Sequence, residues 1–200
     1  QQPNIEVFVQ EGWVIKMADL NKVCTIQPLV ENKKSIERVK NVDPNNLIIL
    51  AQITLPYTIP QVFPGAFDQN KNAFIFSSPN PNLRIAGTVQ QNGVFGFLVT
   101  ITNSFVQVVK CQGRYFMRDG HHRTYGLLSK NISTIPVLYR EYNSFVEMGI
   151  PQGLFPTEVL TSNRPPMLKD YFDDNVSSEA LFPISAKVVM IQGIELNTIS

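Results

Sequence analysis

The sequence predicts an α+β fold, rich in strand, with antiparallel hairpins and a few short helices, and three observations lead there. Residues 84–117 are dense in strand signals, and Asn92-Gly93 and Gln112-Gly113 punctuate them with residues that tolerate positive φ, so hairpins are the economical reading. Helical patterning is confined to short stretches near 30–42, 122–130 and 167–174. Hydrophobic residues make up 44% and charged residues 16% of the 200, which excludes disorder for most of the length and allows one core. A single compact domain over 1–200 is expected, any boundary falling in the proline-rich excursion at 56–81.

In chain order, residues 5–9 and 13–17 alternate apolar with polar side chains and read as strands. Residues 30–42 carry a narrow stripe, Ile36 and Val39, on a solvated short helix or loop. Asp43-Pro44-Asn45-Asn46 is a turn into residues 47–55, whose β-branched content predicts a buried strand. A strand at 73–76 interrupts the excursion, and strands follow at 84–89, 97–102, 105–109 and 114–117. The segment 122–130 is a short amphipathic helix that Asn131 stops, and 134–139 is a strand that Pro136 assigns to an edge or a strand start. Loops at 151–156 and 163–166 and an acidic helix at 167–174 lead to a closing hairpin, 188–191 with 194–196. Tyr115, Phe116 and Phe97 are expected in the core.

Seventeen basic against sixteen acidic residues, with no long run of either sign, give a duplex no electrostatic track, so tight duplex DNA binding is not expected. The longest apolar run, residues 47–51, is far short of a membrane span, so no membrane partner is expected. Residues 1–4 have no basic n-region or apolar h-region, so no signal peptide is expected within the chain. Cys24 and Cys111 lie far apart without a chelating motif and read as buried thiols in a reducing, cytoplasmic setting.

Both histidines stand together in Arg118-Asp119-Gly120-His121-His122-Arg123. Gly120 allows a sharp turn from strand to helix, and the free N–H groups of the helix start form an anion pocket. Arg123 adds a charge-assisted fork for a phosphate and His122 a further donor. Asp119 either caps the helix, orients a histidine or binds Mg²⁺ beside a phosphate. The candidate catalytic residues are Asp119, His121 and His122; the candidate phosphate- or nucleotide-binding residues are Gly120, His122 and Arg123. Against this stands the plain alternative that Asp-Gly before a helix is common capping and an exposed His pair decorates the surface. No transition metal is expected, because adjacent helical residues diverge by about 100°. A Ser-His-Asp hydrolase has no Gly-x-Ser-x-Gly elbow to rest on. Arg84 and Arg164 could add anion ligands but read first as loop caps, and the acidic 170–174 cluster reads as a solvated helix end.

Gly113-Arg114-Tyr115-Phe116-Met117-Arg118-Asp119-Gly120-His121-His122-Arg123-Thr124-Tyr125-Gly126-Leu127-Leu128, then Ile132 and Thr134-Ile135-Pro136-Val137-Leu138, resembles the ParB/sulfiredoxin superfamily. The signature there is a strand, an Asp-Gly-x-x-Arg type turn, a helix and an Ile-Pro-Val strand. The superfamily's free-serine kinases carry Asp-Gly-His-Thr-Arg, matched at Asp119, Gly120, His121 and Arg123, with His122 in place of Thr. Sulfiredoxins match at Gly120, His122 and Arg123, but their catalytic Cys falls on His121, which excludes that reduction; ParB proteins proper match only Gly120 and Arg123. The likeness covers about a fifth of the chain, and the rest resembles bacterial members of the superfamily that bring no known activity.

The resemblance implies a ParB/sulfiredoxin-like core at about 84–145, elaborated by a β-rich N-terminal part at 1–83 and extended at 146–200. It implies a nucleoside triphosphate, with Mg²⁺, held at the helix start. Two functions follow: a phosphotransferase or nucleotide hydrolase acting through the 119–123 turn, or a non-catalytic ligand-binding or regulatory module that retains the fold. A kinase of this type also needs an acidic base from its N-terminal part, and Glu6, Glu11 and Glu31 are candidates by location alone.

Overall fold

The computed structural model describes residues 3–56, 65–78, 80, 82–101, 104–149, 155–183 and 186–195. The chain runs through α1 (Pro3–Gln10), β1 (Val14–Asp19), β2 (Val23–Thr25), α2 (Asn32–Arg38) and α3 (Leu47–Thr54). It continues with β3 (Ala66–Asp68), β4 (Ala73–Ser78), β5 (Leu83–Gln91), β6 (Val94–Ile101), β7 (Gln107–Cys111) and β8 (Arg114–Asp119). Last come α4 (His121–Ser129), β9 (Thr134–Tyr142), α5 (Phe145–Met148), α6 (Thr157–Thr161) and β10 (Lys187–Gln192), with 3₁₀ turns at Leu20–Lys22 and Leu168–Phe172. The fold is mixed α+β. Among the described residues no helix is long and apolar enough to cross a membrane.

Two compact units emerge, one from residues 1–57 with 104–180, the other from 58–103 with 181–200. The first holds a five-stranded sheet in the order β1-β9-β7-β8-β2. The β1–β9 and β7–β8 pairs are antiparallel; β9–β7 and β8–β2 are parallel. Neighbouring residues on each inner strand enter opposite cores, as the period of two requires: Val108, Met117 and Val137 face one cluster, and Val109, Phe116 and Leu138 the other. Leu50 and Leu127 close the first core from α3 and α4, with Val39 at the end of α2; Met148 and Leu160 close the second from α5 and α6. Cys24 and Cys111 are free and buried in that second core. In the other unit β4 lies between β10 and β3, and β5–β6 form a separate two-stranded ribbon turning at Asn92 and Gly93, both at positive φ.

Several sequence expectations give way to tertiary contacts. Residues 5–9 lie in α1: Ile5 and Phe8, three apart, pack on the second core, and the Phe8 ring meets Trp13 and Phe105 edge-on. Residues 47–54 are helix, because Asn46 accepts from the Ile48 and Ile49 amides as an N-cap, while Ile49, Leu50 and Ile53 supply the inward face. The solvated stripe at 30–42 is α2, which buries Ser35 and delivers the buried Val39. Pro136 stands on an inner strand. Leu138 donates to the Val106 carbonyl, so the nitrogen of Pro136, two residues earlier, faces the same side before the β7 ladder begins at Gln107, and its missing N–H forfeits no bond. Phe116 is buried as expected, whereas Phe97 and Tyr115 are exposed. β10 pairs with β4, and residues 194 and 195 of the expected hairpin partner are not strand, while residue 196 lies outside the described residues. Residues 57–64 and 151–154, inside two predicted loops, lie outside the described residues.

Candidate functional site

The 119–123 turn is built by backbone conformation before any side chain acts. Gly120 has φ +101 and ψ 12, left-handed, and serves as the N-cap of α4. A Cβ on Gly120 would lie 2.8 Å from Val106 Cγ2 and 3.1 Å from Val106 Cα, so glycine is demanded by space as well as torsion. The segment before β7 therefore runs directly alongside the turn and carries Ser104 with it. No side chain caps α4, which leaves the amides of His121 and His122 facing the turn, while the Thr124 amide already bonds to the Gly120 carbonyl.

Asp119 ends β8 at the mouth of this turn. Burial raises its pKa, and the Arg123 and Arg118 charges, the Gly120 amide and the Ser104 hydroxyl pull the other way. Ser104 Oγ donates to Asp119 Oδ1 at 3.3 Å and accepts from Arg123 Nη2 at 3.0 Å. Arg123 Nη1 donates to the Ile53 carbonyl at 3.1 Å, which ties the last turn of α3 to the site. Burial lowers the Arg123 pKa to about 10, so the guanidinium stays charged at neutral pH. Truncating Arg123 thus costs the fold as well as any ligand, in contrast to a purely ligand-facing arginine.

The two histidines separate. His121 is buried, its Nε2 has no hydrogen-bond partner, and desolvation first, then the neighbouring His122, brings its pKa down to about 3. His121 is a neutral core residue of α4. His122 is half-buried; burial and the Arg38 charge lower its pKa against the opposing pull of Glu31 and Asp119. The turn is therefore set among Arg38, His122 and Arg123, with Asp119 as the carboxylate within it. Among the described residues Arg38 has no ion-pair partner.

Arg38, Ser104 and the Ile53 carbonyl escape a sequence reading because they arrive from α2, α3 and the β7 approach. The signal for α2 is Gly126: a Cβ there would lie 2.2 Å from the Ser35 carbonyl oxygen, so α2 and α4 touch backbone to backbone. Of the three acidic candidates, Glu31 precedes α2 and acts on His122, though it pairs with Lys34 at 3.2 Å; Glu6 lies on α1, and Glu11 follows it. Arg164 pairs with Asp170 at 3.3 Å and staples its own loop, and Arg84 lies on β5 in the other unit. Compared with protein-family models, with curated proteins and with solved structures, the chain matches none.

His121 yields a pH prediction. Its folded pKa lies below the unfolded value near 6.5, so its contribution to stability is complete above pH 6.5 and is lost as pH falls toward 3. By pH 5 the loss reaches about 2 kcal/mol. His122 acts in the same direction, and the raised pKa of Asp119 opposes both in acid. Denaturant titrations at pH 7 and pH 5 should show this drop in the wild type and a clearly smaller one in His121→Gln; equal drops in the two proteins would contradict the buried neutral imidazole.

Proposed function

We propose that this chain is a ParB/sulfiredoxin-like protein that binds a nucleotide or another phosphate-bearing ligand at the 119–123 turn and acts as a phosphotransferase or nucleotide hydrolase. The observation that carries the reading is the uncapped start of α4, a nine-residue helix, set among Arg38, His122 and Arg123. Amide donors, a helix dipole, the held guanidinium of Arg123 and the nearby charge of Arg38 together suit a phosphate, and His122 can add a neutral hydrogen-bond donor. Asp119, buried enough to hold a proton more readily than an exposed carboxylate, is the base beside it. The turn offers one carboxylate already bonded to Ser104, which does not fit a resident Mg²⁺ site; the ion would enter on the triphosphate's own oxygens.

The internal hydrogen bonds of Arg123 favour the second reading, a module that binds without turnover, since two of its donors serve Ile53 and Ser104. Calorimetry and turnover assays separate the two. The wild type should bind a nucleoside triphosphate or pyrophosphate, and Arg123→Ala, measured below its own melting transition so that the lost bonds to Ile53 and Ser104 do not enter as unfolding, should lose about 1.5–3 kcal/mol of that affinity, the worth of a charged hydrogen bond. Asp119→Asn should spare binding without Mg²⁺ and reduce Mg²⁺-dependent turnover. Binding by the wild type with no turnover would select the second reading, and no affinity for any phosphate ligand would leave the turn as a strand-to-helix connection alone.

A further inference from the structure

The hydroxyl of Ser104 occupies a position that capping does not require. Ser104 is half-buried on the segment that passes Gly120, donates to Asp119 Oδ1 at 3.3 Å and accepts from Arg123 Nη2 at 3.0 Å. A hydroxyl held by a carboxylate on one side and a fixed cation on the other has the arrangement of an activated nucleophile with its base and its charge stabiliser. The other hydroxyl at the turn is committed elsewhere: Thr124 Oγ1 is buried and donates to the carbonyls of Gly120 and His121 at 3.2 and 3.0 Å.

We infer that Ser104 is an internal phosphoryl acceptor, so that the chain phosphorylates itself beside the turn that binds its nucleotide. The inference rests on the nucleotide reading given above. Ser104 Oγ attacks the terminal phosphorus of a bound nucleoside triphosphate; the new Oγ–P bond forms as the bond from that phosphorus to the bridging oxygen breaks. The diphosphate leaves with the electron pair, and the hydroxyl proton passes to Asp119. The phosphoserine so formed carries its charge next to Arg123 and the free amides of α4, which hold it as they hold the ligand.

The test incubates the full chain with ATP and Mg²⁺, follows intact mass and maps any modified peptide, with calorimetry of ATP binding alongside. The expected result is one phosphoryl group on Ser104, absent in Ser104→Ala and regained in Ser104→Thr, with the rate in Asp119→Asn down about a hundredfold while binding persists. Thermal melts establish that each variant is folded, and Ser104→Thr carries the test if Ser104→Ala is not. Binding of ATP without modification, or modification at another residue, overturns the inference and leaves the nucleotide reading intact. Absence of ATP binding overturns both.

Discussion

Gly126→Ala is expected to cost about 3 kcal/mol or more of folding stability, at the top of the range for overpacking. The added methyl would sit 2.2 Å from the Ser35 carbonyl oxygen and 2.9 Å from Val39 Cγ2. A side-chain tip could swing away, but a carbonyl inside α2 cannot without moving the helix. Moving α2 displaces Val39 from the first core and Arg38 from beside the turn, so a structural change reaches the site. Gly12→Ala is the comparison: Gly12 has positive φ, +87, which Gly126 inside α4 does not, and nothing lies within 4 Å of a Cβ there. Denaturant midpoints of the two variants should differ by about 2 kcal/mol after the left-handed penalty of about 1–2 kcal/mol is allowed for Gly12. Equal midpoints would show that α2 does not pack on Gly126.

Gly120→Ala should have an effect of similar size for two separable reasons. The left-handed torsion costs a β-carbon residue about 1–2 kcal/mol, and the contact with Val106 adds to it because Val106 Cα, 3.1 Å away, belongs to the backbone. In Gly120→Ala/Val106→Ala the Cγ2 clash at 2.8 Å disappears while the torsional and backbone parts persist. The double variant should therefore recover part of the loss relative to the sum of the two single changes, a coupling that a double-mutant cycle reads directly. Additive losses would mean that Val106 does not abut the turn.

What could be read in the sequence divides along the distance over which each feature is specified. The strand–glycine–helix passage through Asp119, Gly120 and His121 is encoded by adjacent residues and folds as that local code dictates. Asn131 stops α4 at φ 60, and the Asn92-Gly93 and Gln112-Gly113 turns make the β5–β6 and β7–β8 hairpins, again from chemistry within two residues. The helix α3 is different, since Leu47–Thr54 is apolar on nearly every side and β-branched at Ile48, Ile49, Ile53 and Thr54, so neither period nor propensity separates helix from strand. Only the cap at Asn46 carried a helical signal, inside a segment that also reads as a turn. The site shows the same division: His121 and His122 are equivalent in sequence, and burial alone makes one a core residue and leaves the other half-buried in the field of the Arg38 charge. Ser104 lies 15 residues from Asp119, and Ile53 lies 70 from Arg123, separations that no local pattern registers.

The most direct test of the account is an amide-resolved NMR titration of the wild type with pyrophosphate and with ATP, at neutral pH and low salt. The backbone amides of His121, His122 and Arg123 are expected to shift together and saturably, with the Arg38 and Arg123 side-chain resonances following at the same concentration. Unshifted amides at those three positions, or saturable shifts confined to another surface, would contradict a phosphate site at the start of α4.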